Sequence, residues 1–145
     1  MDVSSTTLLA AFSVRGRCYA LNATVIHEVI RLAPLTPVRH APMAVAGIMN
    51  LRGKIVTVLD LGLRLGLPAA VPSRDSRILI VENRGEYLGL LVDAVFDVFE
   101  VEPQQWEPVP ANLSAGEAGL LEGVCRVDRR IVSVLEPDPL LSREA

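Results

Sequence analysis

Gly47-Ile48-Met49-Asn50-Leu51-Arg52-Gly53-Lys54-Ile55-Val56-Thr57-Val58-Leu59-Asp60-Leu61 organises this chain. Apolar residues dominate the stretch, and Gly53-Lys54 interrupts it in the middle. Glycine tolerates positive φ, so the interruption reads as a tight connection between two strands. Residues 55–59 are a β-branched apolar run, too short for a typical helix and suited to a strand buried on both faces. Arg52 is the odd member. A permanent cation between Leu51 and Gly53 needs a carboxylate, a carbonyl or a partner to receive its donors. The alternative is an arginine snorkelling from a barrel rim.

The 145 residues suit one domain or two small lobes sharing a core, and the 50% hydrophobic content supplies ample core material. Aromatics are scarce, and the apolar mass is Val, Leu, Ile and Ala with Gly and Pro spread along the chain, which favours an all-β architecture of short strands. With 14 Lys and Arg against 17 Asp and Glu, the net charge of −3 argues against an electrostatic nucleic-acid binder. Residues 1–5 lack a positively charged leader, and the apolar run at 8–12 is too short for a signal-peptide core. No segment approaches the roughly 20 apolar residues of a transmembrane helix, so no membrane insertion is expected. Cys18 and Cys125 are isolated, and a cytoplasmic protein with reduced thiols is the simplest reading. The sequons at Asn22 and Asn112 carry no weight without a secretory signal.

In chain order, residues 8–14 read as a strand, Arg15-Gly16-Arg17 as a turn and residues 18–21 as a return strand. Asn22 suits the N-cap of a short helix in which Val25, Ile26, Val29 and Ile30 keep helical spacing, with His27, Glu28 and Arg31 toward solvent. After an extended connection marked by Pro34 and Pro37, residues 41–46 suit one or two helical turns, with Pro42 in the first turn and Gly47 as the stop. Residues 61–68 read as a weak helix and 69–77 as a loop. Residues 77–82 and 87–93 form a hairpin around Asn83-Arg84-Gly85. Residues 94–101 fit either a helix or a bent strand, with Gly89 and the β-branched content favouring strand. Residues 103–117 are a long loop holding Trp106, residues 120–127 and 129–135 close the fold as a hairpin around Asp128, and Pro137 and Pro139 disfavour a long terminal helix.

Few residues suggest chemistry. His27 and His40 lack carboxylates at metal-ligand spacing, so no metal site is expected. Cys18 with His27 could make a nucleophile and base, but a small buried cysteine beside an unrelated surface histidine is the simpler reading. Asp60, Asp93 and Asp97 would have to converge in a cleft to act as acid and base, and strand-end carboxylates capping turns are the blander account. The glycines form no phosphate-cradling loop. No cofactor is expected, and an enzyme is disfavoured. A small all-β domain without chemistry still offers edge strands, grooves and apolar rims to partners. Ile26, Ile30, Ile48 and Val98 are such apolar positions, and each could equally be core.

Asn50-Leu51-Arg52-Gly53 followed by Ile55 to Leu61 resembles the signature of the CheW-like domains of bacterial chemotaxis. Four residues alone would be a match of little specificity. The likeness extends in register to Phe12, Tyr19-Ala20-Leu21, Ile26-x-Glu28-Val29, the proline-containing turn before Gly47, Gly89, Val92-Asp93, Val95, Val98 and Glu122-Gly123-Val124, spanning residues 8–135. Two departures stand out. The prolines at 137 and 139 fall where members continue into a helix, and Gly62 stands where many carry an arginine after Asp-Leu, which puts a local ion pair in question.

The resemblance implies two intertwined five-stranded SH3-like β-barrels with a few short helices, residues 1–145 forming one domain of two lobes. It implies a non-enzymatic adaptor in the cytoplasm, recruited to membrane-associated arrays. There it couples the cytoplasmic tip of a chemoreceptor to the regulatory domain of a CheA-type histidine kinase. Position by position it assigns Ile26, Glu28 and Arg52 to receptor binding, and the 41–47 region, above all Pro42, Met43 and Val45, to the kinase. The alternative is a divergent scaffold of another chemosensory pathway (pili, surface sensing or development), or one that binds only one of the usual partners. An enzyme or ligand binder on the same barrels would need a convergent polar set, which the sequence does not offer. Glu28 and Arg52 are both charges in apolar surroundings, and we expect them to pair across the junction of the lobes.

Overall fold

The computed structural model describes residues 6–109, 117 and 119–141. Its strands are β1 (Thr7–Val14), β2 (Arg17–Asn22), β3 (Ile26–Arg31), β4 (Val45–Leu51), β5 (Lys54–Asp60), β6 (Arg77–Asn83), β7 (Glu86–Val92), β8 (Ala94–Val101), β9 (Trp106–Glu107), β10 (Leu121–Val127) and β11 (Arg130–Leu135). Two one-turn helices, α1 (Leu61–Arg64) and α2 (Pro137–Leu140), and 3-10 turns at Ala23–Val25 and Pro103–Gln105 complete them. The strands form two sheets of order β8-β1-β2-β11-β10-β9 and β3-β6-β7-β5-β4. These are the two SH3-like barrels, the first carrying the two-residue β9 as an extra edge. The chain is intertwined: its first two strands join its last four, and the middle of the chain makes the second barrel.

Both sheets repeat one plan. A hairpin pairs in parallel with a second hairpin, β2 beside β11 in one barrel and β5 beside β7 in the other. All four hairpins turn on two residues at positive φ: Arg15-Gly16, Arg52-Gly53, Arg84-Gly85 and Asp128-Arg129. That is the signature of the I′ turn, whose twist matches the twist of the strands it joins.

The apolar side chains separate into three cores. Met49, Val56, Val58, Ile78, Ile80 and Leu91 fill the second barrel. Leu9, Ala20, Val101, Cys125, Val132 and Val134 fill the first. Between them lies the largest cluster, where Phe12, Tyr19 and Leu21 of the first barrel meet Leu79, Leu88 and Leu90 of the second, together with Leu61, Leu65, Leu140 and Leu141. Residues 78–81 are buried on both faces and read as a continuous apolar run, whereas in the expected doubly buried run at 55–59 Val56, Val58 and Leu59 are buried, Thr57 is half-buried and Ile55 is exposed. Tyr19 closes this layer by donating its hydroxyl to Glu117 at 2.9 Å. Burial, with that carboxylate, pushes its phenol up to about 12.

Two expected helices are not present. Residues 26–31 form β3, whose half-buried and exposed positions alternate strictly, and a bulge between Ile26 and Glu28 resets its register against β6. The helical spacing of Val25, Ile26, Val29 and Ile30 is coincidental: four β-branched residues in six favour the extended chain. Residues 41–44 are a turn, closed by the Val45 amide donating to the Pro42 carbonyl at 3.0 Å, and β4 begins directly after it. Gly47 therefore stops nothing. It sits inside β4, where a Cβ would lie 2.8 Å from the Thr36 carbonyl oxygen and 2.9 Å from Leu35 Cβ. This absence of a side chain lets Thr36 and Ile48 exchange two backbone hydrogen bonds of 2.9 Å. Residues 94–101 are strand, bent at a register shift opposite Ala11 and Phe12. The last element among the described residues is the one-turn α2. Of the long loop expected at 103–117, residues 110–116 lie outside the described part of the chain.

Gly47→Ala should cost about 1–3 kcal/mol, because the added methyl forces backbone apart in a filled site. A urea titration should show a lower midpoint at unchanged slope.

Candidate functional site

β3 and β4 are the two edges of the second sheet, and the barrel brings them round to one another. Glu28 leaves β3 on its half-buried side. Arg52 leaves the β4–β5 turn at φ +50, a conformation held by Asn50, whose Oδ1 accepts from the Gly53 amide at 2.8 Å. From these positions the Arg52 guanidinium donates to the Glu28 carboxylate. The hydrogen bond, then the charge of Glu28, holds Arg52 still more firmly protonated than usual. The expected pair therefore forms, but not across the junction of the lobes. Both residues belong to the second barrel, and the pair closes the seam between that barrel's own edge strands. Arg52 stays two-thirds exposed at the side chain, so its outer face remains available.

Beside the pair lies a feature that sequence reasoning did not find. The His27 ring tilts against Tyr87 with centroids 4.9 Å apart, and Lys54 Nζ sits 4.6 Å from the Tyr87 ring centre. A cation over the π face is attractive by roughly 0.5–1 kcal/mol at an exposed site. Three strands (β3, β5 and β7) thus contribute to one polar and aromatic surface. Val29 and Ile55 are exposed on β3 and β5. Residues 26–31, Ile-His-Glu-Val-Ile-Arg, show no apolar–polar alternation in sequence, so nothing local announces the strand that carries His27. Ile26 opens β3 half-buried and packs on the central core, so it contributes at most part of its side chain to the surface.

The other expected surface divides. Pro42 and Met43 stand on the outside of the turn before β4, and Met43 is 84% exposed. Val45 points inward and packs on the central core, so it supports this turn from beneath. Val45 and Leu51 mark the ends of β4, which at about 3.3 Å per residue puts the two groups on the order of 20 Å apart, at opposite ends of one rigid strand. Of the other apolar positions, Val98 is exposed on β8, whereas Ile30 packs against the interior of the second barrel.

The most enclosed charges lie elsewhere. Asp60 is 4% exposed at the end of β5, where its Oδ1 caps α1 and its Oδ2 accepts from the Ala70 amide at 2.7 Å. Arg15, from the β1–β2 turn, donates Nη2 to Asp60 at 2.7 Å, Nη1 to Asp93 at 2.7 Å and Nε to the Pro68 carbonyl at 2.8 Å. Asp60 and Asp93 therefore converge on a cation, and Asp60 without Asp93 also borders a groove of about 540 Å³ lined by Leu32, Pro34, Ala70 and Leu91. With no side chain at 62, the carboxylate of Asp60 is met by Arg15 from the β1–β2 turn.

The remaining polar groups do not assemble into a reactive set. A groove of about 400 Å³ at the mouth of the first barrel is lined by Cys18, Phe96, Phe99 and Val132, with Asp97, Asp128 and Arg130. Burial pushes the Cys18 thiol up, partly offset by Arg130, and burial, then Glu122, pushes Cys125 up to about 11. Both thiols are protonated at neutral pH and poor nucleophiles. Cys18 faces this groove while His27 packs on Tyr87, so they have different neighbours. Among the described residues no group of three or more His, Cys, Asp or Glu could hold a metal ion, and no helix is long and apolar enough to cross a membrane.

Comparison with known proteins agrees with this architecture. The model of the CheW-like domain matches residues 9–145. The chemotaxis protein CheW of Rhizobium meliloti is 33% identical over 136 residues, covering 94% of this chain and 88% of that protein. Its counterpart in Bacillus subtilis is 25% identical over 144 residues, covering 99% and 92%. The crystal structure of the scaffolding protein TtCheW from Thermoanaerobacter tengcongensis superposes with a TM-score of 0.85 at 33% identity, covering 94% of this chain and 92% of that one. A shorter match, 29% over 106 residues, is to protein PilI of Pseudomonas aeruginosa, covering 70% of this chain and 60% of that protein.

Because Arg52 and Glu28 meet at an exposed seam, Arg52→Glu should leave the unfolding midpoint nearly unchanged. Circular dichroism during a thermal scan checks this. A large drop would show that the pair holds the barrel closed rather than marking its surface.

Proposed function

The chain belongs to the CheW-like domain family, and from that premise we propose that it is a non-enzymatic chemotaxis adaptor. It joins a chemoreceptor's cytoplasmic tip to the regulatory domain of a CheA-type histidine kinase. The observation that carries the reading is the family match across both barrels, combined with two separated exposed groups at the ends of β4. The polar and aromatic surface around Ile26, Glu28 and Arg52 receives the receptor, and the turn of Pro42 and Met43, supported by Val45, meets the kinase. The adaptor supplies no reaction. It works by linkage: one rigid body that binds both partners at once passes on a free-energy difference between their states, typically about 1–3 kcal/mol for such couplings. It acts in the cytoplasm, at arrays beneath the membrane.

The test mixes the purified chain with a receptor hairpin tip and a kinase regulatory domain and measures binding of each, alone and together. A three-way complex is expected. Glu28→Arg and Arg52→Glu should each weaken receptor binding by about tenfold or more with kinase binding intact, and the double reversal should recover most of the loss. Additive losses would overturn the role of the pair, and failure to bind either partner would overturn the adaptor reading. Met43→Asp should show the opposite selectivity. A second reading, a scaffold of another chemosensory pathway, draws on the shorter match to PilI. Binding to one partner only would favour it.

Residues 1–145 act as one domain in this reading, because the largest core cluster draws on both barrels. Tryptophan fluorescence from Trp106, in the first barrel, and far-ultraviolet circular dichroism, from both, should report one coincident denaturation. Two separated transitions would show independent lobes.

A further inference from the structure

The chain crosses between its barrels twice, through residues 22–26 and through Asp93, which lies between β7 and β8. The second crossing is a single residue tied on every side to the β1–β2 hairpin of the first barrel. Its amide donates to the Ser13 carbonyl at 2.9 Å, its Oδ2 accepts from the Arg15 amide at 2.5 Å, and its Oδ1 accepts from Arg15 Nη1. The rest of the same guanidinium reaches into the second barrel, to Asp60 and to the Pro68 carbonyl. All three guanidinium nitrogens are engaged, in a planar fork that tolerates little rotation.

The seat of this fork is position 62. A Cβ there would lie 2.5 Å from Arg15 Nη2, 2.7 Å from Cζ and 3.1 Å from Nε. Gly62 shows no positive φ that would call for glycine, so the only demand on it is space. The guanidinium lies directly on the backbone of α1, where a side chain from residue 62 would begin.

We propose that Arg15 is an orientational lock between the two barrels, seated in the space that Gly62 leaves open. The hydrophobic driving force behind the apolar layer between the barrels is non-directional and favours burial without selecting particular atom pairs. The fork is directional, and it joins a turn of one barrel, a strand end of the other and the crossing between them. Without it, the barrels stay in contact but rock about that crossing. The lock needs no partner, so its failure and the failure of the adaptor reading are separate results.

Residual dipolar couplings of backbone amides in the whole chain test this directly. In the wild type, residues 26–92 and the strands of the first barrel should fit one alignment tensor. In Arg15→Ala the two sets should require tensors of different magnitude. Arg15→Lys, which keeps the charge but not the fork, should show a smaller separation in the same direction. Gly62→Ala, whose Cβ falls where the Arg15 guanidinium lies, should show the same separation with Arg15 still present. Should Arg15→Ala fail to fold, Arg15→Lys and Asp93→Asn decide the matter alone. A common tensor of wild-type magnitude in the variants that fold would overturn the lock. A Gly62→Ala variant with the wild-type tensor would overturn the assignment of its seat.

Discussion

A carboxylate buried to the degree of Asp60 has to be satisfied on both oxygens, and much of the surrounding chain is arranged to do so. An ionised group in that position without a cation would cost on the order of 3–5 kcal/mol, as broken buried pairs generally do. Residue 62 has no side chain and Arg64 of α1 donates to the Pro139 carbonyl instead, so the cation comes from the β1–β2 turn. That turn must then place an arginine at φ +51, an uncommon conformation for a residue with a Cβ. The I′ hairpin supplies that conformation for its own reasons of strand twist. Turn type, glycine at 62 and burial of Asp60 are thus three aspects of one constraint.

The repeated plan of the barrels gives this constraint its reach. Each barrel has two I′ turns, and an arginine stands at a positive-φ position in all four. Two of those side chains, Arg15 and Arg52, reach carboxylates. Arg15 points into the interface between the barrels, where its side chain is 15% exposed; Arg52 points along an open seam and is 67% exposed. The same local backbone therefore yields an internal brace in one place and a surface group in another. What differs is whether the surrounding barrel leaves the side chain a way to water.

The strands were legible in the sequence wherever the hairpins were. Arg15-Gly16, Arg52-Gly53 and Arg84-Gly85 announce tight turns, and apolar runs on either side follow from sheets covered on both faces. Residues 26–31 were not legible as strand. Six residues with a bulge show too few repeats for period 2 to stand out against a chance 3.6-residue spacing. The turn at 41–44 misleads for a related reason, since a proline followed by small residues suits a first helical turn as well as an open one. Of the candidate site, the partnership of Glu28 and Arg52 could be foreseen from two charges in apolar company. Its location could not, because that depends on how the barrel curls its edge strands together. The contact among His27, Tyr87 and Lys54 joins three strands far apart in sequence, and no local pattern encodes it.

The contrast between the two ion pairs also bears on how an adaptor of this shape divides its labour. An exposed pair such as Glu28 with Arg52 contributes little to stability and is weakened by salt. Its geometry is adjustable, which suits a surface that must recognise a partner and release it. The enclosed fork of Arg15 is largely shielded from solvent ions and held by three acceptors, which suits a part that must not move when a partner binds. A body that transmits strain between two separated sites needs both kinds, a responsive contact at the rim and a stiff connection behind it. Here the stiff connection lies at the second of the two places where the chain passes from one barrel to the other, beside the apolar layer that both barrels share.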